Sequence, residues 1–371
     1  MPQASFLIKP ASSNCNLRCK YCFYQSIAEN RNIRSYGIMN DETTEALVKK
    51  ALEYADISCT FAFQGGEPTL AGLDYFKKFV GLVCKYNTKN IRVNYALQTN
   101  GLIINQQWAR FLVESKFLVG LSLDGPKDFH DLNRIDVAGK GSFSNVINAS
   151  NLFNKFNVEY NILCVINSYI AGHANKVYNF FKRSGYKYLQ FIPCLDPLGE
   201  APGMHEFSLT PEKYALFLNN IFDQWYTDIM HGEFISIRYF ENLVSMLLGY
   251  PPESCGMAGF CTAYCVIEAN GGVYPCDFYV TDDWYLGSIL ETDFTSLINC
   301  QKSKDFIEVS KHIDPACAEC KWGSLCRGGC RRNREPFKDQ LPMLNYYCSS
   351  FKEFFDYSGD RLMQLARMSH G

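Results

Sequence analysis

No apolar run in the sequence approaches the roughly 18 residues that a membrane-spanning helix needs. The first ten residues, Met1-Pro-Gln-Ala-Ser-Phe-Leu-Ile-Lys-Pro10, lack a basic segment followed by a long apolar stretch, so no signal peptide is read there. Charge of one sign is not in excess either. The 36 Lys and Arg stand against 38 Asp and Glu, a net charge of −2, which argues against a nucleic-acid-binding surface. Low-complexity tracts and internal repeats are also missing. What is present suits a globular protein of two domains, or one large domain with an appendage: 371 residues, 47% hydrophobic and 15% aromatic, enough for a sizeable core.

Cysteine is abundant, with 17 in the chain. The count is odd, several spacings are too short for a ladder of structural disulfides, and a chain of this size does not need such staples. Reduced cytoplasmic thiols serving as metal ligands fit better than a disulfide-rich secreted protein. Most of the cysteines fall into two arrays. The first is Cys15-x3-Cys19-x2-Cys22. The second runs Cys255-x5-Cys261-x9-Gly271-x4-Cys276, then Cys317-x2-Cys320-x5-Cys326-x3-Cys330-x17-Cys348. Cysteines 59, 84, 164, 194, 265 and 300 stand outside them, with core filling as their default role.

Six short apolar runs predict strands: Ser5–Lys9, Cys59–Gln64, Arg92–Thr99, Leu118–Asp124, Glu159–Ile166 and Tyr188–Leu195. Most are continuously apolar, as expected of parallel strands covered on both faces. Helical periodicity fills the gaps at Asp41–Ala55, Asp74–Tyr86, Asn105–Ser115, Ser142–Phe156 and Ala174–Ser184, with Asn40 or Asp41 as the first N-cap. Thr210-Pro211 opens a further helix whose face carries Tyr214, Phe217, Leu218, Ile221, Phe222, Trp225 and Ile229. The alternation is α/β and predicts a partial (β/α)6 barrel. Active sites of such barrels gather at the C-terminal strand ends, where the first array lies. Pro251-Pro252 marks a boundary. The expected organisation is a barrel over 1–235, a connecting helix over 236–250, and a cysteine-rich domain with a C-terminal helix over 251–371.

Three cysteines within eight residues suit three irons of a [4Fe–4S] cluster, leaving the fourth iron open to another ligand. A zinc knuckle would lack a fourth ligand, because no His is near. A ferredoxin-type run would supply further cysteines locally. The set Cys317, Cys320, Cys326 and Cys330 is, on its own, equally compatible with a zinc ribbon.

The segment Cys15-Asn-Leu-Arg-Cys19-Lys-Tyr21-Cys22 resembles the C-x3-C-x-aromatic-C signature of the radical S-adenosylmethionine (SAM) enzymes. Gly65-Gly66-Glu67-Pro68, at the end of the second predicted strand, resembles their GGEP motif. The resemblance implies that Cys15, Cys19 and Cys22 hold a cluster whose open iron chelates SAM, and that a 5′-deoxyadenosyl radical is produced. It further implies SAM contacts from Tyr21, Gly65, Gly66, Glu67, Ser122, Arg134 and Leu195. Taken singly, Ser122, Arg134 and Leu195 read as a capped turn, a surface ion pair and a core residue.

The full order of the second array resembles the SPASM extension, which holds two auxiliary [4Fe–4S] clusters. By that resemblance, Cys255, Cys261, Cys276 and Cys330 ligate the first, and Cys317, Cys320, Cys326 and Cys348 the second. Gly271 is expected to make the hairpin turn before Cys276. The cofactors implied are therefore three [4Fe–4S] clusters and SAM.

Among SPASM proteins, the chain is most similar to the anaerobic sulfatase-maturating enzymes. The similarity runs from Leu7-Ile-Lys-Pro to Phe351-Lys-Glu-Phe-Phe355, with Phe61-Ala-Phe-Gln-Gly-Gly-Glu-Pro68, Cys22-Phe-Tyr24 and Tyr274-Pro-Cys-Asp-Phe-Tyr279 its most specific pieces. It implies oxidation of a Cys or Ser in a Cys/Ser-x-Pro/Ala-x-Arg segment of a sulfatase to Cα-formylglycine. Asp277 matches the proton acceptor, and Tyr24 and Gln64 are weaker candidates for aligning the target. A low-potential electron donor such as flavodoxin or ferredoxin would be a partner. The competing expectations are another SPASM peptide modifier, forming a thioether or C–C cross-link or epimerising a residue, and a zinc- or cluster-bearing sensor. The first array begins so early that no N-terminal leader-binding module is expected.

Overall fold

The computed structural model describes residues 3–262 and 264–368. By compactness the chain forms two units, each built from separate stretches of sequence. The first comprises Met1–Ser122, Asp131–Asn161 and Ala263–Asp305. The second comprises Leu123–His130, Ile162–Thr262 and Phe306–Gly371.

In the first unit, β1 (Gln3–Ile8), β2 (Ser58–Phe63), β3 (Arg92–Thr99) and β4 (Phe117–Ser122) pair in sequence order, all parallel. Helices cross between them: α1 (Phe23–Glu29) and α2 (Asp41–Tyr54) after β1, α3 (Leu73–Tyr86) after β2, α4 (Gln106–Glu114) after β3. The β-α alternation expected from periodicity is borne out, with boundaries shifted by one or two residues. Asn40 is the N-cap of α2: its side chain accepts from Thr43 N–H at 2.8 Å. Leu47, Val48, Ala51 and Leu52 point inward from that helix, at the i, i+1, i+4, i+5 spacing of one face. Phe61, Phe63, Phe76, Phe79 and Phe117 form an aromatic core between sheet and helices, mostly edge-to-face, with Phe63 and Phe117 stacked. β3 departs from the expectation of fully covered strands. Its first half alternates between exposed and half-buried residues, and Arg92 and Asn94 face outward.

Three strands that the apolar runs did not reveal extend this sheet. β8 (Cys265–Ile267) pairs parallel to β1, and β9 (Gly272–Tyr274) and β10 (Gly287–Ser288) follow antiparallel. They are two or three residues long, too short to show a period. The hairpin turn expected at Gly271 is present. Gly271 adopts φ +84°, and Cys276 follows two residues after the end of β9.

In the second unit, β5 (Tyr160–Ile166, from Ile162 on) pairs parallel with β6 (Tyr188–Pro193), and β6 with the short β7 (Ser236–Ile237). β6 ends at Pro193, so Leu195 lies two residues beyond the strand. Helix Pro211–Met230 begins at Thr210, whose side chain accepts from Lys213 N–H. Its aromatic stripe packs as expected through Phe222, Trp225, Phe240 and Phe354, with one correction. Ile229 is half-buried, and Asp228 turns inward instead. The carboxylate is accommodated by Tyr178 Oη and Lys182 Nζ, each at 2.8 Å. Hydrophobic pattern alone does not anticipate such a pair.

Candidate active site

The loop after β1 carries the first cysteine array and is laced to two neighbouring segments by backbone hydrogen bonds. Gly66 N–H donates to Ser12 O at 3.0 Å and Glu67 N–H to Asn14 O at 2.7 Å. Arg18 N–H donates to Ile135 O at 2.6 Å and Lys20 N–H to Asn133 O at 3.1 Å. Gly66 must be glycine for a specific reason. A Cβ there would fall onto the carbonyl of Asn14. Gly65 adopts φ +125°.

Two site residues predicted from sequence, Tyr21 and Arg134, therefore converge. Tyr21 is buried, and Arg134 Nη1 donates to its hydroxyl at 2.9 Å across 113 residues of sequence. Arg134 is 7% exposed, so it is not the surface ion pair that its type alone suggests. Ser122 ends β4, half-buried. Leu195 is half-buried in the second unit.

Glu67, expected among the SAM contacts, keeps its side chain away from the surface. It is 1% exposed, and its carboxylate is taken up inside the fold. Oε1 accepts from Thr69 N–H, Thr69 Oγ1 and Thr99 Oγ1 at 3.1, 2.6 and 2.8 Å, and Oε2 accepts from Asn100 N–H at 2.7 Å. Its burial raises the carboxyl above the ordinary range, offset by these four donors. The side chain braces the Gly-Gly-Glu-Pro turn against the end of β3.

No disulfide joins any of the 17 cysteines. Cys15, Cys19 and Cys22 are half-buried. Burial pushes the Cys15 thiol up to about 11, yet its sulfur accepts N–H groups from Leu17 at 3.4 Å and Asn100 at 3.8 Å. A thiol that is hard to ionise alone, but furnished with donors, suits a sulfur whose proton is displaced by iron.

In the second unit, Cys317, Cys320, Cys326 and Cys348 line one cavity of about 820 Å³, with Phe260, Trp322, Phe351 and Phe355 among its apolar walls. Four thiols on one cavity match the donor set of a four-iron cluster. Burial raises Cys326 to about 11 and Cys330 to about 12, with the neighbouring Cys255 and Cys261 thiols pushing Cys330 in the same direction. Of the six remaining cysteines, Cys59, Cys164, Cys194 and Cys265 fill the core, whereas Cys300 is half-buried and Cys84 exposed. Among the described residues no group of three or more His, Cys, Asp or Glu side chains is placed to hold a single metal ion.

A second constellation stands in the first unit, beside Cys276. Asp277 is 7% exposed. Tyr24 Oη donates to its Oδ2, Gln64 Nε2 donates to Tyr24 Oη, and Gln64 Nε2 also reaches Asp277 Oδ2 at 3.0 Å. Asp277 Oδ1 is buried with no hydrogen-bond partner. Burial raises the Asp277 carboxyl above its ordinary value, while the charge of Lys9 and the Tyr24 hydroxyl pull it back. Burial and the neighbouring Asp277 push the Tyr24 phenol well up.

Lys9 is a member of this group that the sequence did not single out. It is 2% exposed, with Nζ 4.7 Å from the centre of the Tyr24 ring. The available signal was a lysine closing an apolar strand, where a charge is out of place unless partnered.

The sequence pattern of the Radical SAM superfamily matches residues 10–175, and that of the SPASM iron-sulfur cluster-binding domain matches residues 255–321. The cysteine-type anaerobic sulfatase-maturating enzyme of Clostridium perfringens (strain ATCC 13124) is 53% identical over 366 residues, covering 99% of each chain. The chain belongs to the anaerobic sulfatase-maturating enzymes. A serine-type anaerobic sulfatase-maturating enzyme, from Bacteroides thetaiotaomicron, is 31% identical over 368 residues, 95% of this chain and 88% of the other. A solved structure of native anSMEcpe with bound AdoMet and Cp18Cys peptide superposes with a TM-score of 0.95 at 52% identity, over 99% of both chains. This sulfatase-maturating enzyme is thus a radical SAM oxidoreductase with a SPASM domain, and its cofactors are [4Fe–4S] clusters and SAM. Among the described residues no helix is long and apolar enough to cross a membrane.

Proposed function

We propose that this enzyme oxidises a cysteine of a sulfatase, within a Cys-x-Pro/Ala-x-Arg segment, to Cα-formylglycine. Cysteine is preferred to serine as the target because the chain is 53% identical to a cysteine-type relative and 31% identical to a serine-type one. The single observation supporting the chemistry is the orphaned oxygen of Asp277.

Cys15, Cys19 and Cys22 would hold the cluster that binds SAM, with Tyr21, Gly65, Gly66, Ser122, Arg134 and Leu195 around the cofactor and Glu67 bracing the turn. Cys317, Cys320, Cys326 and Cys348 would hold one auxiliary cluster. Cys255, Cys261, Cys276 and Cys330 are carried over from the family pattern as ligands of the other. When bound, SAM and its cluster supply a primary carbon radical for hydrogen abstraction, and the auxiliary clusters supply one-electron acceptors.

The oxidation removes one hydrogen atom from Cβ, one proton from sulfur and one electron. The thioaldehyde left behind takes up water and releases sulfide. The chain's own residues act on the proton. Asp277 Oδ1 accepts it, while Tyr24 and Gln64 occupy Oδ2 and so fix which oxygen faces the substrate. The charge of Lys9 favours the ionised form of this carboxylate, against the opposing effect of its burial. A flavodoxin- or ferredoxin-type donor would deliver the electron that starts each cycle.

The test is anaerobic turnover of two peptides, identical except for Cys or Ser at the target, with SAM and a reductant. Mass spectrometry should find the aldehyde from the Cys peptide, with about twelve irons per chain in the enzyme. An unmodified Cys peptide beside consumed SAM would rule out this substrate.

A further inference from the structure

Asn100 directly follows β3 and is 4% exposed. Its Nδ2 donates to Asn16 Oδ1 at 2.7 Å and to Cys15 Sγ at 3.8 Å, a length suited to the larger sulfur acceptor. Its Oδ1 accepts from Leu102 N–H at 3.1 Å. These contacts fix the orientation of the amide. Turned over, it would set oxygen against the Asn16 oxygen and the Cys15 sulfur, and an NH2 group against the Leu102 N–H. The backbone N–H of the same residue donates to Glu67 Oε2. Asn100 therefore touches both the cysteine loop and the Gly-Gly-Glu-Pro turn. With the Leu17 N–H, it makes two donors converging on one cysteine sulfur.

Hydrogen bonds to the sulfurs that ligate a cluster stabilise its more negative, reduced state and so raise its potential. We propose that Asn100 is a positioning residue for the radical-generating cluster: its carboxamide hydrogen-bonds the Cys15 sulfur and makes that cluster easier to reduce. The proposal rests on Cys15 being a cluster ligand.

The test compares anaerobically reconstituted full-length enzyme as wild type, Asn100→Leu and Asn100→Asp. Leucine removes the donor at similar volume. Aspartate keeps the shape and the Leu102 contact but replaces the donor with oxygen. Each is reduced in a potentiometric titration followed by electron paramagnetic resonance, in which the signal altered by adding SAM identifies the radical cluster. Both variants should carry wild-type iron. The SAM-responsive signal should need a more negative potential in Asn100→Leu, and a still more negative one in Asn100→Asp. SAM cleavage should slow by about 10- to 100-fold, the usual effect of removing an outer-shell partner, while formylglycine formed per SAM cleaved stays unchanged. An unaltered potential in both variants overturns the proposal. So does an iron content lower by one cluster in both, which would make Asn100 a residue for assembly instead. A wild-type enzyme with no SAM-responsive signal would overturn the cluster assignment itself, whatever the variants do.

Discussion

Tyr24 donates its hydroxyl to Oδ2 of Asp277, 253 residues further along the chain, and leaves Oδ1 buried with no partner. A buried carboxylate oxygen without a donor is costly. The fold tolerates it beside a cysteine that the family pattern makes a cluster ligand. That pairing of a satisfied and an unsatisfied oxygen is the basis for assigning the proton step to Asp277.

Asp277→Asn should lower formylglycine formation by at least about 100-fold, the lower range for loss of a general base. Iron content and SAM cleavage without product should persist. Quantifying peptide aldehyde and cleaved SAM in the same reaction checks it, and full product formation with intact clusters would remove Asp277 as the base.

Tyr24→Phe keeps the ring and deletes only the hydroxyl. Asp277 Oδ2 then retains the Gln64 donor alone, so the carboxylate is less firmly held. Product formation should fall by about tenfold, the scale of one hydrogen bond to a charged group. The single-turnover rate reads this directly.

Lys9→Met removes the cation that offsets the burial of Asp277. A base must be deprotonated to act, and Asp277 is raised by burial, so activity is lost as pH falls through its raised pKa. Without Lys9 that pKa moves higher still. The acid limb of the pH–rate profile should therefore shift to higher pH, and an unmoved limb would count against the assignment.

Gly66→Ala and Gly81→Ala should act oppositely. At position 66 the added methyl meets the Asn14 carbonyl, so the cysteine loop must shift and SAM cleavage should be lost. At position 81, in α3, nothing lies within 4 Å and the φ is ordinary. The second change should raise stability by about 0.5–1 kcal/mol through helix propensity, measurable by denaturant unfolding.

Much of this enzyme is legible in its sequence because the decisive spacings are local. Three cysteines in eight residues, and a Gly-Gly-Glu-Pro turn at a strand end, state their chemistry within one loop. The parallel β-α alternation follows from the period of apolar residues between Ser5 and Ser184. The two- and three-residue strands β8 to β10 were not legible, because they are too short to show a period and the pairing of β8 with β1 exists only through space. The inward turn of Asp228 was missed because Tyr178 and Lys182, on another helix, make it acceptable.

The sequence by itself determined the cofactor chemistry: which thiols are available, in what order, and beside which turn. Tertiary structure decided which side chains share a site. It brought Tyr24, Gln64 and Asp277 together through the pairing of β1 with β2 on one side and β8 on the other. It buried Lys9 beside them, and it turned the Glu67 carboxylate inward as a brace while leaving one oxygen of Asp277 unpartnered. The physical reason is range. A ligand spacing is fixed by covalent geometry over a few bonds. The state of a carboxylate depends on every donor and charge within a few ångströms, and these come from strands hundreds of residues apart.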